Sequence, residues 1–341
     1  MGSRNEVTDL HVPEREARGG PASPGKKHPA LLLVAHGTRN PAGATEMKQL
    51  VEHLRLRLEG RVRASASEPA GGEPRVRASA SEPAGGEPLV AAAWLEDFAE
   101  PDARTAAGEL VAGGATHVVT LPFLVLGAGH AKTDVPEQVR QVSDAFSDLT
   151  VTHARVLGLH PALFELARTR VDAVAAAGER EDEVLLVTGA GSSDPDANGD
   201  LNKAARVLAE QTGHRWTEIA FAGVTWPRAD EVFNRLRRAG ARRVVRFSWS
   251  LLAGLLEQRI DRWADEAIER YGMEIIDAGR FGPDPLVADA VIDRYHEALH
   301  GDVRMNCDLC AYRLPLPGLE ARVGAPSAGG LGTAVHPSVR R

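Results

Sequence analysis

Cysteine, long apolar runs and aromatic residues are all scarce in this chain. Only 2 of its 341 residues are cysteines, too few for the disulfide framework of a secreted domain. No stretch approaches the roughly 18 consecutive apolar residues that a membrane-spanning helix needs. Residues 1–28 also lack the apolar segment of a signal peptide. We therefore expect a cytoplasmic protein that does not bind membranes.

Positive charge is not in excess either. The formal net charge is −7, which argues against a general nucleic-acid binder, because such a protein needs a basic surface to displace counterions from phosphates. A hydrophobic content of 43% with only 5% aromatic residues is typical of α/β layers built from Ala, Val and Leu. An anionic ligand would have to be bound by a few local basic side chains.

Apolar runs alternate with amphipathic stretches along most of the chain. The runs predict strands near residues 30–35, 89–94, 117–124, 151–156, 184–188, 219–223, 243–249 and 274–277. Strands that alternate with helices form parallel sheets with helices on both faces. We predict an α/β protein with two similar doubly wound domains of parallel sheets, over residues 29–178 and 179–300, that face each other across a cleft.

The other segments are rich in Gly, Pro, Ser and charged residues and cannot bury much apolar surface. Disorder is predicted for residues 1–28 and for the end of the 301–341 tail, after about residue 317. The sequence RVRASASEPAGGEP at 61–74 is repeated letter for letter at 75–88, and two copies are too few for a solenoid. Residues 61–88 are therefore predicted to form a flexible insertion in the first domain.

The second half is similar to a divergent copy of the first. LLLVAHGTRNP at 31–41 parallels LLVTGAGSSDP at 185–195, an offset of 154. Residues 156–163 parallel 280–287 at an offset of 124. These two matches, in the same order along the chain, indicate an internal duplication.

A third pair of matching segments lies between these two. Gly127 and His130 parallel Gly254 and Glu257 at an offset of 127. The offset falls by 27 from the first pair of segments, close to the 28 residues of the doubled 14-mer. On this alignment Glu257 stands where the first half has His130.

Two histidines come after predicted buried strands. His36 follows the first apolar run and His130 follows a Gly-Ala-Gly turn after the third. The carboxyl ends of parallel strands form the edge where ligands bind, and imidazole binds first-row divalent metals and titrates near neutrality. We predict that His36 and His130 form a pair that binds a metal or takes up protons. Because Ala190 replaces His36 in the second half, one asymmetric site per chain is expected.

Two carboxylates are candidates for the same site. Glu257, from the second half, is predicted to act as a third ligand or as a proton acceptor. Glu96, in the TrpLeuGluAsp segment at the end of the second predicted strand, is a weaker candidate.

Phosphate and nucleotide chemistry are disfavoured by the same segments. LVAHGT is similar to the strand end of histidine phosphatases, but Ala35 stands where those enzymes have the arginine that grips phosphate. GAGHAKT lacks two glycines of a phosphate-binding loop, and GAGSSD lacks the third glycine of a dinucleotide fingerprint.

Cys307 and Cys310 form a CxxC near the end of the chain. The pair could bind an iron–sulfur cluster or zinc, carry out redox chemistry without a metal, or have no role. A cluster usually takes four protein ligands, so two cysteines would require other ligands or sharing between the subunits of a homodimer.

Several of these motifs together resemble the CbiX/SirB-type sirohydrochlorin chelatases. They are His36-Gly37 after the first strand, WLEDFAEP at 94–101 and LPFLVLGAGHAKTDVP at 121–136. The duplicated halves resemble the long, two-domain members, and MNCDLC at 305–310 is similar to the MxCxxC element of cobalt-inserting relatives with an iron–sulfur centre. The resemblance covers about residues 29–315. The doubled 14-mer, the N-terminal extension and the lack of a His-rich tract are departures from it.

The resemblance implies ATP-independent insertion of a divalent metal into sirohydrochlorin. His36 and His130 would hold the metal while an imidazole accepts the pyrrole protons. The MxCxxC element favours Co²⁺ and cobalamin biosynthesis; Fe²⁺ insertion for sirohaem biosynthesis is the nearest alternative. A metal carrier that uses the same histidines without catalysis is a third hypothesis.

The implied substrate is rich in carboxylates, which an acidic protein must meet with basic groups at the rim of its site. Four residues near the predicted strand ends are candidates for binding these carboxylates: Arg39, Lys132, Arg246 and Arg259.

Overall fold

The computed structural model describes residues 29–60, 88–96, 99–176 and 180–300. Four sequence predictions lie outside these described residues: disorder of residues 1–28, the insertion over residues 61–88 (of which only residue 88 is described), disorder of the tail after about residue 317, and the metal site at Cys307 and Cys310.

Two sheets with the same topology form the molecule. The first half contains β1 (Ala30–Ala35), α1 (Pro41–Leu58), β2 (Val90–Trp94), α2 (Ala103–Ala112), β3 (His117–Phe123), α3 (Gly129–Lys132), α4 (Asp134–Ala145), β4 (Thr150–His153) and α5 (Pro161–Val174). The second half contains β5 (Glu183–Gly189), α6 (Pro195–Thr212), β6 (Trp216–Phe221), α7 (Ala229–Arg238), β7 (Arg243–Ser248), α8 (Leu255–Tyr271), β8 (Glu274–Asp277) and α9 (Pro285–His300). The strand orders are β2-β1-β3-β4 and β6-β5-β7-β8, with all neighbours parallel. The predicted class, two similar parallel-sheet α/β domains, is confirmed.

The central strands match the apolar runs, whereas the edge strand β6 does not. All six residues of β1 are buried, as expected for a strand covered on both faces. The run at 219–223 predicts β6 too late, because this strand begins at Trp216 and includes Thr217 and Glu218. An edge strand is partly exposed and tolerates polar residues, so a search for continuous apolar runs finds only its buried end.

Matching caps and turns support the internal duplication. Asn40 and Asp194 accept hydrogen bonds from the backbones of α1 and α6 at the same position, and each precedes a proline that starts the helix. Gly158 and Gly282 both adopt positive φ angles, 64° and 58°, ahead of α5 and α9. These pairs keep the predicted offsets of 154 and 124.

The middle match is wrong by one residue. Lys132 N donates to Ala128 O in the first half, and Gln258 N donates to Gly254 O in the second, so Gly254 corresponds to Ala128 and the offset is 126. His130 therefore corresponds to Leu256, and Glu257 to buried Ala131. The sequence match pairs Gly127 with Gly254, but the hydrogen bonds of the first helical turn determine which residues of the two halves correspond.

Each half gives its last helix to the sheet of the other half. α5 packs against β7 and α6, whereas α9 packs against α1, β3 and β4. Arg57 of α1 pairs with Asp289 of α9 at 3.0 Å, and Tyr295 of α9 donates to Pro29 O at 2.7 Å. Arg243 of β7 donates to Val174 O at the end of α5, at 3.1 Å.

One core cluster joins the two halves, and a smaller cluster lies on the outer face of each sheet. The shared cluster contains side chains of both sheets and of α1, α5, α6 and α9. The outer clusters lie under α2 and α4 in the first half and under α7 and α8 in the second. None of the helices in the described ranges is long and apolar enough to cross a membrane.

Candidate functional site

Three side chains that can bind a metal meet at the carboxyl end of the first sheet. His36 follows β1, Glu96 lies two residues after β2, and His130 is on the short helix α3 that follows β3. One ligand atom from each lies within 4.8 Å of the others. The two imidazole rings have centroids 4.5 Å apart at 87°, and His36 Nε2 is 3.6 Å from Glu96 Oε1. Two imidazole nitrogens and one carboxylate suit a first-row divalent ion.

Backbone pairing between neighbouring strands brings Glu96 to His36. Ala35 and Trp94 are partners in the parallel ladder, and the pairing continues past the strand ends. Leu95 N donates to Ala35 O at 2.9 Å, and Glu96 N donates to His36 O at 3.2 Å. The two side chains are therefore neighbours although the sequence separates them by the doubled 14-mer.

A second carboxylate orients His130. Nδ1 of its ring is hydrogen-bonded to Asp134, one helical turn further along. A carboxylate that holds one ring nitrogen fixes the tautomer and leaves the other nitrogen for a ligand. Asp134 is not among the residues predicted from the sequence, and its i+4 spacing from His130 is the signal that could have found it.

All three members of the group are accessible to a large ligand. The exposed fractions of the side chains are 50% for His36, 36% for Glu96 and 40% for His130. The group thus lies open at the sheet edge and is not enclosed as in a structural metal site.

Glu257, the favoured third candidate, does not join the two histidines. It lies in the first turn of α8, and its side chain is only 12% exposed. Its carboxylate is 3.3 Å from Arg280 Nη1. Burial raises the pKa of Glu257, although the nearby charge of Arg280 and a hydrogen bond from Ser248 act in the opposite direction. The weaker candidate, Glu96, occupies the third place in the group.

Two of the four predicted carboxylate-binding residues are held in ion pairs. Arg246 lies within β7 with a side chain 4% exposed, and its Nη2 is 2.5 Å from Asp261 and 3.1 Å from Asp277. Lys132 Nζ lies 2.8 Å from Asp194 and 2.6 Å from Asp196, across the boundary between the two halves. Burial alone would lower the pKa of Lys132, but these two carboxylates outweigh it and raise the pKa.

The other two predicted carboxylate-binding residues are exposed near the carboxyl ends of strands. Arg39 follows β1, three residues after His36. Arg259 lies on α8, where its Nη1 donates to Ala222 O at 3.3 Å.

The loop that carries His36 is fixed against the second half by contacts that the sequence did not reveal. Thr38 Oγ1 donates to Ala253 O at 3.0 Å, and Ala253 N donates to Glu46 Oε2 at 2.7 Å. Glu46 also accepts a hydrogen bond from Arg280. The carboxyl ends of the two sheets therefore face each other, with the three-residue group at one side of their interface.

The chain is similar to known proteins in sequence and in structure. The CbiX family model matches residues 30–174 and 184–298. A sirohydrochlorin cobaltochelatase of Priestia megaterium is 34% identical over 224 residues, which cover 64% of this chain and 72% of that protein. A sirohydrochlorin ferrochelatase of Bacillus subtilis is 26% identical, over 58% of this chain and 75% of that protein.

Solved structures share the fold. SirB from Bacillus subtilis with Fe³⁺ superposes with a TM-score of 0.63 at 23% identity, covering 81% of this chain and 96% of that one. CbiX, described as the terminal enzyme of sirohaem biosynthesis in denitrifying bacteria, gives a TM-score of 0.51 at 15% identity, covering 77% and 98%.

Proposed function

The chain belongs to the CbiX family, and from this premise we propose that it inserts a divalent metal ion into sirohydrochlorin at His36, Glu96 and His130. The observation that carries the proposal is the convergence of these three side chains, with ligand atoms within 4.8 Å, at an open sheet edge. The metal is a substrate here, and the group holds it only until the macrocycle takes it.

The number of imidazoles matches the number of protons that must leave. Insertion of M²⁺ into the neutral macrocycle forms metal–nitrogen bonds and releases two pyrrole protons. When His36 and His130 release the metal, each regains a nitrogen lone pair that can accept one proton. Asp134, hydrogen-bonded to His130 and 51% exposed, stabilises the protonated ring and lies on a route to solvent. In this mechanism charge and protons balance without ATP.

Exposed basic residues bind the carboxylate arms of the substrate in this proposal. Arg39 and Arg259 take this role because both side chains are exposed, Arg39 after β1 and Arg259 on α8 beside the end of β6. Arg246 and Lys132 are left out because carboxylates of the protein already bind their cationic groups.

We propose Co²⁺ as the preferred metal. Support comes from the relatives, since identity to the cobaltochelatase is 34% and to the ferrochelatase 26%. The ligand set itself accepts both ions, because imidazole and carboxylate bind Co²⁺ and Fe²⁺ alike. The test is competition between Co²⁺ and Fe²⁺ at limiting sirohydrochlorin under anaerobic conditions. An excess of the iron product at equal metal concentrations would contradict the preference.

The absorbance change of sirohydrochlorin on metal insertion tests the function itself. We expect Glu96→Gln, His36→Ala and His130→Ala to lower kcat/KM by at least 100-fold, about 2.7 kcal/mol of transition-state stabilisation. Glu257→Gln is the matched control: the same chemical change outside the group should leave kcat/KM within a factor of about three of wild type.

Three outcomes of this experiment would count against the proposal. Wild-type insertion no faster than the uncatalysed reaction, together with tight Co²⁺ binding, would favour a metal carrier. Full activity of Glu96→Gln would remove that residue from the site. A larger loss of kcat/KM in Glu257→Gln than in Glu96→Gln would restore Glu257 as the third ligand.

A further inference from the structure

A cavity of about 430 Å³ opens at the carboxyl end of the second sheet. The loop from Gly223 to Arg228 forms one side, and Arg259 and Trp263 of α8 form the other. Among pockets that hold small molecules, volumes of about 300–1,000 Å³ are usual. The cavity is therefore large enough for one substituted ring of a larger molecule.

The internal duplication relates this cavity to the metal-binding group. Ala222 N donates to Gly189 O as Leu95 N donates to Ala35 O, so Gly223 takes the place of Glu96. The counterparts of His36 and His130 are Ala190 and Leu256. None of these three replacements has a side chain that binds a metal, so the second half offers a cavity of different chemistry at the equivalent place.

Guanidinium groups and indole rings line the cavity. The Arg228 guanidinium lies over the Trp263 ring, 5.2 Å from its centroid, and is also 2.9 Å from Asp230. Arg259 is exposed and, among the described residues, has no carboxylate within 4.0 Å. Indole faces attract flat conjugated rings, and a guanidinium binds a carboxylate through two parallel hydrogen bonds.

Exposed apolar side chains line the cavity on its loop side, and another lies outside it on α8. Val224 and Trp226 on the loop are 62% and 58% exposed, and Leu255, one helical turn before Arg259 on α8, is 52% exposed. An apolar patch rimmed by charged groups marks a binding surface. Val224 also adopts a φ of 67°, a conformation that β-branched residues rarely take.

We propose that this cavity binds a carboxylate-bearing ring of the tetrapyrrole, with Arg259 pairing with an acid arm and Trp226 contacting the face of the ring. The inference rests on the proposed function, since it takes sirohydrochlorin as the ligand. It assigns the second half, which lacks the metal ligands, the task of holding the macrocycle.

Binding of sirohydrochlorin to metal-free protein in EDTA, measured by isothermal titration calorimetry, tests this assignment. We expect Arg259→Gln and Trp226→Ala each to raise Kd at least fivefold, and to raise KM for insertion while kcat stays unchanged. Both residues are exposed, so both variants should fold. Arg237→Gln is the matched control, because Arg237 stacks on Tyr271 at 5.0 Å on the same half but does not line the cavity; its Kd should stay within twofold of wild type.

The outcomes separate this inference from the proposed function. Values of Kd and KM within twofold of wild type for both variants, in a protein that inserts metal, would overturn the cavity assignment and leave the function intact. A wild type that inserts no metal, but whose sirohydrochlorin binding requires Arg259, would overturn the function and support the cavity. Displacement of sirohydrochlorin by equimolar phthalate would overturn the assignment in favour of a site for small aromatic acids.

Discussion

A single added methyl group at Gly43 should disturb a contact between the two halves beside the candidate metal-binding group. Gly43 lies in the first turn of α1, and a Cβ atom there would be 2.5 Å from Ala253 O and 2.9 Å from Thr38 Cγ2. The nearer atom belongs to the backbone, and Ala253 is held on both sides by hydrogen bonds to Thr38 and Glu46. Gly43→Ala must therefore either compress this contact or break it.

Compressing the contact and breaking it should lower the free energy of unfolding by similar amounts. Overpacking of a tight contact costs about 1–3 kcal/mol. Moving Ala253 away gives up one neutral hydrogen bond, about 1 kcal/mol, and one to the Glu46 carboxylate, about 2 kcal/mol. Alanine gains about 1 kcal/mol over glycine inside a helix. The net expectation is a loss of about 1–2 kcal/mol in the free energy of unfolding.

Gly199→Ala provides the control for Gly43→Ala. Gly199 lies inside α6, and no atom comes within 4 Å of a Cβ placed on it, so only the helix gain of about 1 kcal/mol applies. Urea unfolding of both variants should show a difference of about 2–3 kcal/mol. Gly43→Ala should also slow metal insertion, because Thr38 is two residues from His36. A Gly43→Ala protein as stable as Gly199→Ala would refute the reasoning.

Three further predictions concern charged and buried residues that are not members of the candidate metal-binding group. Lys132→Gln should lower stability by about 1 kcal/mol in low salt and less in high salt, because it removes two partly exposed ion pairs between the halves; an effect that does not change with salt would contradict this. Burial lowers the pKa of His153 to about 4 from 6.5, so the unfolded state binds the proton first. This one residue should therefore contribute a loss of about 3 kcal/mol in stability as pH falls from about 6.5 to about 4. In urea titrations at each pH, His153→Gln should lose less free energy of unfolding than wild type over that interval. If the free energy of unfolding changes equally with pH in both proteins, His153 does not contribute. Tyr295→Phe should cost about 1 kcal/mol, because Pro29 O loses its hydrogen bond, and an unchanged midpoint of thermal unfolding would mean that water replaces the hydroxyl.

The fold was readable from the sequence because its central strands are buried on both faces. β1, for example, consists entirely of apolar residues and lies between β2 and β3. The edge strand β6 was misplaced because polar Thr217 and Glu218 interrupt its apolar pattern. The contacts of α5 and α9 were not predictable, since an apolar helix face looks the same in sequence whichever sheet it covers.

The candidate metal-binding residues are only partly predictable from the sequence. His36 and His130 are candidates in the sequence because strand ends in a parallel sheet meet at one edge. Glu96 looks like the weaker candidate in the sequence because it is far from His36 along the chain. Its contact with His36 comes from the pairing of two strands, which the sequence does not show. Glu257 was preferred because a shift of one residue in the internal alignment placed it opposite His130. The sequence shows that Arg246 is charged, but it does not show that the residue lies inside β7 with Asp261 and Asp277 as partners. A buried arginine therefore looks the same in the sequence as one exposed at the surface.

The exchange of α5 and α9 between the two sheets makes the halves thermodynamically inseparable. Each half has the size of an ordinary domain, and ordinary domains can unfold one after the other. Here, unfolding of either half also removes the helix that covers the sheet of its neighbour, so both must melt in one transition. A metal ion bound only by residues of the first half would consequently raise the melting temperature of the whole described molecule.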